Sequence, residues 1–262
     1  MYNDLSSEEL REAKRFDKEV TEKYKSDSDL LIEPIHWTKF DTNKRIAHPY
    51  GYMVQSVGNL TGKRVLEIGC GTGVFSVILA KRGAEFVQAF DISKESINLA
   101  RKRARINSVD DRVRFQTMTV YDMDYGEEQF DLIVGLNILH HVDIDKVVGK
   151  IYSCLKKGGA AYFTEPFGEV EWLERIRLLI PIKVDEEDKS HWQEKLRYKD
   201  IRKFDVQFNS VRCIEFHLLS RLDRVIRWSL LVDLLGRIDE SLLGRFRFLR
   251  KYARRVVIVV MK

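Results

Sequence analysis

The chain is poor in cysteine and lacks any long apolar run, internal repeat or low-complexity tract. Its three cysteines, Cys70, Cys154 and Cys213, are scattered and odd in number. That pattern fits reduced thiols in a cytoplasm rather than a disulfide framework. No stretch approaches about 18 uninterrupted apolar residues, so no spanning helix is expected. A basic start followed by an apolar stretch and a small-residue cleavage site is also missing, which argues against secretion. No ligand set with recognisable metal spacing occurs. His140-His141 and Asp143-x-Asp145 lie close together, but Asp143 reads better as a helix N-cap before Ile144, Val147, Val148 and Ile151, so no metal is expected. Nor does any nucleic-acid recognition motif or aromatic-basic interleaving accompany the charge, and no nucleic-acid partner is expected.

What is present points to an α/β core. The 262 residues are 44% hydrophobic, enough to bury a full core, and strand and helix patterns alternate as in a parallel sheet. The most informative stretch is Val65 to Ser76, VLEIGCGTGVFS. An apolar run ends in Glu67, glycines follow at Gly69, Gly71 and Gly73, and a helical pattern starts at once. That order describes a buried strand, a loop whose backbone approaches a ligand, and a helix whose first amides face it. Cys70 lies inside the loop, where its backbone matters more than its sulfur. A dinucleotide fingerprint places its third glycine or alanine three residues after the second. Here that position is Val74, so a nicotinamide-dependent oxidoreductase is disfavoured. An acid at Glu67 suits a cationic ligand better than a pyrophosphate.

Further landmarks follow. Glu85 to Ser93, EFVQAFDIS, reads as a second strand ending at Asp91, with Ser93 as the next N-cap. An acid at such a tip can accept ribose hydroxyls. Val113 to Val120 alternates as a third strand. Phe130 to Val142, FDLIVGLNILHHV, reads as a fourth strand and the turn after it. Leu155 to Gly159, LKKGG, reads as a helix end with a glycine stop. A fifth strand from Ala160 to Thr164 then delivers Glu165-Pro166.

These motifs resemble the class I S-adenosylmethionine-dependent methyltransferases, in the small-molecule, quinone-biosynthesis-like branch. The resemblance covers about Leu60 to Pro166 and runs loosely through Val211 to Leu219 and Arg255 to Met261. It implies a three-layer Rossmann-like fold with a seven-stranded sheet, the last strand antiparallel and inserted between its neighbours. It implies S-adenosyl-L-methionine as cofactor, held at Glu67, Gly69, Cys70, Gly71 and Gly73, with Asp91 on the ribose and Ile92 against the adenine. Gly135, Leu136 and Asn137 would meet the methionine part. The family often has an acid just beyond the third strand; here that position is Thr119, with Val120 between it and Asp122 three residues on. The adenine contact therefore stays open among Thr119, the Val120 or Tyr121 amide and Asp122. The segment Asn137-Ile138-Leu139-His140-His141 differs from the Pro-Pro form of the DNA- and amide-modifying branch.

The implied activity is methyl transfer to a hydroxyl of a small metabolite, lipid or glycan-linked acceptor. The alternatives are a carbon-directed enzyme of the quinone-biosynthesis kind and a non-catalytic cofactor-binding scaffold. His140 is the first choice for a general base and Glu165 its rival. His36, Trp37 and His141 are candidates for the substrate pocket. The expected organisation is an N-terminal helical cap (1–59), a cofactor-binding core (60–168) and a C-terminal part (169–262). The C-terminal part would hold a helix from Val170 to Ile180, a charged loop from Lys183 to Lys195, the last two strands and a helical insertion between them. In that insertion Trp228, Leu231, Leu235, Ile238 and Leu242 fall on one helical face. From Arg221 to Arg255, ten Lys/Arg stand against four Asp/Glu. Such a basic amphipathic segment can contact a membrane surface, bind another partner or pack on the domain. The expected location is cytoplasmic, with membrane association through 221–255 as an option.

Overall fold

A computed structural model describes residues 5–24, 26–32, 49–172, 195–220 and 229–262. His36, Trp37 and Trp228 lie outside these residues, as do most of the expected helix from Val170 to Ile180 and of the charged loop.

Helix α1 (Ser7–Lys23) opens on Ser6, whose hydroxyl accepts the Glu9 amide while the Glu9 carboxylate accepts the Ser6 amide. This reciprocal cap satisfies two donors that a helix start leaves orphaned. Helix α2 (Pro49–Ser56) precedes strand β1 (Arg64–Ile68). The glycine loop then leads into α3 (Val74–Lys81). Strand β2 (Phe86–Asp91), helix α4 (Lys94–Ile106) and strand β3 (Val113–Thr117) complete the first half. Strand β4 (Phe130–Leu136), helix α5 (Ile144–Cys154) and strand β5 (Leu155–Pro166) follow. The remaining elements are α6 (Tyr198–Ile201), β6 (Ser210–Phe216), α7 (Ser229–Arg245) and β7 (Arg255–Met261).

The seven strands form one sheet in the order β3-β2-β1-β4-β5-β7-β6. Strands β1 to β5 are parallel, and β7 pairs antiparallel with both β5 and β6. This is the expected Rossmann-like sheet with its last strand inserted. Because side chains alternate across a strand, β1 feeds both faces. Val65 packs with Phe75 and Ile78 of α3 and with Met53 and Val54 of α2. Leu66 and Ile68 pack on the other face with Ile144, Val147 and Ile151 of α5. Both faces are covered, as parallel sheets require.

Two expectations need correction. The LKKGG segment is strand rather than helix end: α5 stops at Cys154 and β5 begins at Leu155. The reason is pairing, since Phe130 registers with Leu155 and the Gly158 amide donates to the Lys262 carbonyl. The apolar face of α7 is also rotated from the expected one. Gly236, Asp239 and Leu243 are buried, whereas Ile238 is exposed. A polar anchor sets that rotation. The Asp239 carboxylate accepts the amides of Leu218 (3.0 Å), Leu219 (2.6 Å) and Ser220 (2.9 Å) and the Ser220 hydroxyl.

Candidate active site

A cleft of about 600 Å³ opens at the edge where the parallel strands end. Its floor is the glycine loop. Gly69 and Gly71 line it, both at positive φ. A Cβ on Gly69 would collide with the Ile138 side chain at 2.9 Å, so glycine lets the loop and the turn after β4 meet. Gly73 works differently. It turns away from the cleft into α4, where a Cβ would lie 2.7 Å from the Ala100 Cβ. Arg103 of α4 steadies the same loop by donating to the Thr72 carbonyl.

Asp91 lines the cleft at the tip of β2. Its carboxylate accepts the Gly71 amide at 2.7 Å and the Ser93 amide at 2.9 Å. Burial raises its pKa, and those two amide bonds oppose the shift. The Ser93 hydroxyl accepts the Ser96 amide, as its expected capping role requires, and donates to Asp17 of α1. Ile92, Thr119, Val120, Leu136 and Asn137 also line the cleft.

Glu67, Cys70 and Asp122 take other places. Glu67 is 1% exposed and lies behind the loop, where it accepts the Ser76 hydroxyl of α3. Burial, reinforced by the Asp91 charge, pushes its pKa up to about 8. Cys70 is buried, and burial raises its thiol well above the usual range. Asp122, one of the candidates for the adenine contact, is exposed and does not line the cleft. Thr119 is engaged instead: its hydroxyl accepts the Tyr121 amide and donates to the Glu9 carboxylate at 2.7 Å.

Opposite the loop, the turn from Leu139 to His141 carries both histidines. His140 lines the cleft, and its Nδ1 lies 2.6 Å from Oε2 of Glu165. The other Glu165 oxygen accepts the Ile138 and Leu139 amides at 2.9 and 2.8 Å. Glu165, the rival candidate base, is fully buried beside His140 and does not line the cleft. His141 lines the cleft too, with Nδ1 2.8 Å from Glu12 of α1 and its ring edge-on to Phe16.

Helix α1, part of the expected N-terminal cap, forms one wall of the cleft, although none of its residues was singled out as a site residue. Glu9, Glu12 and Phe16 all line it, and their i, i+3, i+7 spacing puts them on one helical face. Burial pushes Glu12 up, but the hydrogen bond and charge of His141 outweigh it and hold the carboxyl below its usual range. For Glu9, the Thr119 and Ser6 hydrogen bonds outweigh burial in the same way. The spacing was legible in sequence; which wall the face met was not. Tyr50, Lys195, His217, Arg254 and Arg255 also line the cleft and were missed as site residues.

Comparison with known proteins agrees with this geometry. Residues 65–159 match the family model described as a methyltransferase domain. A ubiquinone biosynthesis O-methyltransferase of Neisseria meningitidis serogroup C is 33% identical over 108 residues, which are 40% of this chain and 45% of that protein. The match thus spans about half the length of such curated relatives. A ribosomal protein L11 methyltransferase of Ruminiclostridium cellulolyticum is 40% identical over 81 residues, 31% of this chain and 25% of that one. Among solved structures, geranyl diphosphate C-methyltransferase from Streptomyces coelicolor superposes with a TM-score of 0.61 at 13% identity, covering 98% of both chains. The [4+2]-cyclase SpnF superposes at 0.53 and 15% identity, covering 85% of this chain and 86% of that one. Likenesses this distant speak for the fold alone.

Together, the strand order, the glycine loop and the family match make this a class I methyltransferase fold. More narrowly, residues 65–159 match the methyltransferase-domain model, and 108 residues are similar to a ubiquinone biosynthesis O-methyltransferase.

Proposed function

We propose that this protein transfers a methyl group from S-adenosylmethionine to a hydroxyl oxygen of a small-molecule acceptor, with His140 as general base and Glu165 as its positioning residue. The observation that carries this reading is the buried His140–Glu165 pair, 2.6 Å apart at the lip of the cleft. The cleft suits the cofactor. Gly69 and Gly71 let backbone come close to a ligand, Asp91 stands where ribose hydroxyls would be met, and the acids Glu9 and Glu12 favour cationic groups. When bound, S-adenosylmethionine supplies an electrophilic methyl group on a sulfonium.

The protein's part is then to align, exclude water and move one proton. With the His140 Nδ1–H given to the Glu165 carboxylate, Nε2 is the basic nitrogen. It would take the acceptor hydroxyl proton, leaving the oxygen to receive the methyl group that bound S-adenosylmethionine would supply. The two amide bonds to Glu165 Oε1 fix the carboxylate, and through it the imidazole. The O-directed names of the relatives support oxygen as the target.

The test is turnover of methyl-labelled cofactor with a panel of hydroxyl-bearing acceptors, with products located by NMR. His140→Gln should lower kcat about 10²–10⁴-fold, the scale of a lost general base. Glu165→Gln should lower kcat as well, with cofactor affinity unchanged. A C-methylated product with His140→Gln unaffected would favour the carbon-directed alternative. Cofactor binding with no turnover on any acceptor would favour the scaffold reading.

We also read the insertion over 221–255 as a peripheral contact with an anionic membrane surface. Support comes from exposed Leu234, Phe246 and Phe248 among Arg237, Arg245, Arg247 and Lys251. Among the described residues no helix is long and apolar enough to cross a membrane. Sedimentation with anionic vesicles at low salt, reversed as salt rises, is the expected result. Equal binding to neutral vesicles would remove the reading.

A further inference from the structure

The strand ends meet the cleft in sheet order. Asp91 ends β2, Gly69 follows β1, His140 lies just after β4, Pro166 ends β5, Arg255 begins β7 and His217 follows β6, and all six line it. At the β6 end a second pocket of about 250 Å³ adjoins the cleft. His217 lines both, and α2 supplies Tyr50 to the first and Tyr52 to the second.

The wall that α7 gives this pocket follows from spacing. Gly236, Asp239, Glu240, Leu243 and Gly244 recur at i, i+3, i+4, i+7 and i+8, one face of a helix, and all five line it. Glycine weakens a helix, so two on one face call for a packing or functional reason. Here they withhold side chains at both ends of the face. A Cβ on Gly244 would meet nothing within 4 Å.

The charged groups of the pocket are engaged by the protein itself. Asp239 accepts three backbone amides and the Ser220 hydroxyl. Glu215 accepts the Tyr198 hydroxyl at 2.7 Å, and its other oxygen lies 3.8 Å from Arg250 Nε. That Nε donates to the Leu243 carbonyl at 2.9 Å. Burial pushes the Cys213 thiol up to about 12, so it stays neutral. A ligand would therefore meet mainly Tyr52, Ile214, Phe216 and Leu243, with the Tyr52 and Phe216 rings 5.6 Å apart. At about 250 Å³ the pocket is smaller than the roughly 300–1,000 Å³ of a self-standing small-molecule site, which suits one part of a ligand whose remainder lies in the cleft.

We infer that the acceptor carries a flexible apolar tail, of the alkyl or acyl kind, seated in this second pocket while its hydroxyl reaches His140. The inference rests on the methyltransferase reading for the word acceptor, but the tail site itself does not. Strands β4 and β6 are three steps apart in the sheet, roughly 14 Å at the usual strand spacing. A ring with a medium-length chain spans that distance, and a compact metabolite does not. Chain length rather than charge would then set selectivity at this end, since each buried methylene favours binding by about fourfold.

The test is calorimetric titration with 4-alkylphenols from ethyl to octyl, on the protein alone and saturated with S-adenosylhomocysteine. Affinity should rise by up to about fourfold per methylene, leaving the octyl compound bound at least about a hundredfold more tightly than the ethyl one. Gly236→Leu and Gly244→Phe fill the pocket from either end of the α7 face, and both replace a poor helix former with a better one. Either should weaken octyl binding by at least about tenfold while ethyl and S-adenosylhomocysteine binding stay within about twofold. Loss of folding would lower all three together. Equal affinities for the ethyl and octyl compounds, or octyl binding that neither variant moves, would overturn the inference. The two readings fail separately. Chain-length-dependent binding without S-adenosylhomocysteine binding would remove the methyltransferase reading and keep the tail site; S-adenosylhomocysteine binding with a flat chain-length series would remove only the tail site.

Discussion

Replacing Glu67 with glutamine should change how stability depends on pH more than any other single substitution in the cleft's support. The Glu67 carboxyl ends β1 fully buried against the Ser76 hydroxyl. Burial raises its pKa from 4.5 to about 8, with Asp91 adding repulsion and Ser76 opposing. In the unfolded chain the same carboxyl ionises near its ordinary value. Between these two pKa values the native state therefore holds a proton that the unfolded state has lost. Stability falls as pH rises through that window, by about 1.4 kcal/mol per pH unit. The contribution is complete below 4.5 and gone above about 8, a total on the order of 5 kcal/mol. Glutamine keeps the shape and a hydrogen bond to Ser76 but cannot ionise. The variant should match the wild type near pH 4.5 and exceed it by several kcal/mol near pH 8. Denaturant unfolding at constant ionic strength from pH 4.5 to 8.5 measures this directly. A residual slope of the same sign is expected from Asp91, whose pKa is also raised. Parallel curves for the two proteins would refute the reasoning, because Glu67 would then be ionised in the native state.

Three further outcomes are expected. Asp91→Ala should weaken S-adenosylmethionine binding by about 1–3 kcal/mol in calorimetry, since it removes a charged acceptor and frees the Gly71 amide; unchanged affinity would remove the ribose assignment. Gly73→Ala should destabilise by about 2–4 kcal/mol in denaturant unfolding, because it combines a left-handed backbone with a Cβ 2.7 Å from Ala100. A neutral result would mean that α4 yields without cost. Asp239→Ala strands three backbone amides and should cost about 3 kcal/mol by thermal or denaturant unfolding, with Asp239→Asn in between; no loss would mean that water replaces the carboxylate.

What could be read from sequence was mostly local. The glycine loop, Asp91 at a strand tip, and the caps at Ser93 and Asp143 each depend on residues within a few positions. Glu67 was expected beside a cationic ligand, yet its carboxyl is buried, with a pKa raised to about 8. In β1 the side chain follows Val65 onto the α3 face, and period-two alternation carries it away from the cleft. The LKKGG segment misled because glycine after a helix signals a stop, while pairing with the β7 end made it strand. In α7 the apolar periodicity was real, yet the buried Asp239, bonded to three successive amides, outweighed it in setting the helix rotation. Glu12 and Arg255 were invisible as site residues for a common reason. Each reaches the cleft through an element far away in sequence, and only the sheet order says which elements share an edge.

That order also separates what the fold determines from what it leaves open. The glycine loop and Asp91 stand at the tips of β1 and β2, on the side of the cleft proposed to take the cofactor. The opposite side is built from the start of β7, the end of β6, α2 and the segment before α6, none of which the 65–159 family match includes. A [4+2]-cyclase sharing the fold shows that the sheet alone does not dictate the chemistry. In this chain the two sides touch through one closed set of hydrogen bonds. Arg255 donates to Asn137 and Tyr50, and the Asn137 amide group donates to Tyr50 at 3.0 Å. Asn137 sits at φ 54 at the β4 tip, with its backbone amide fixed on the Thr164 carbonyl. A substitution at Arg255 would therefore act on Asn137, which lines the cleft at the β4 tip, as well as on the wall that carries Arg255 itself.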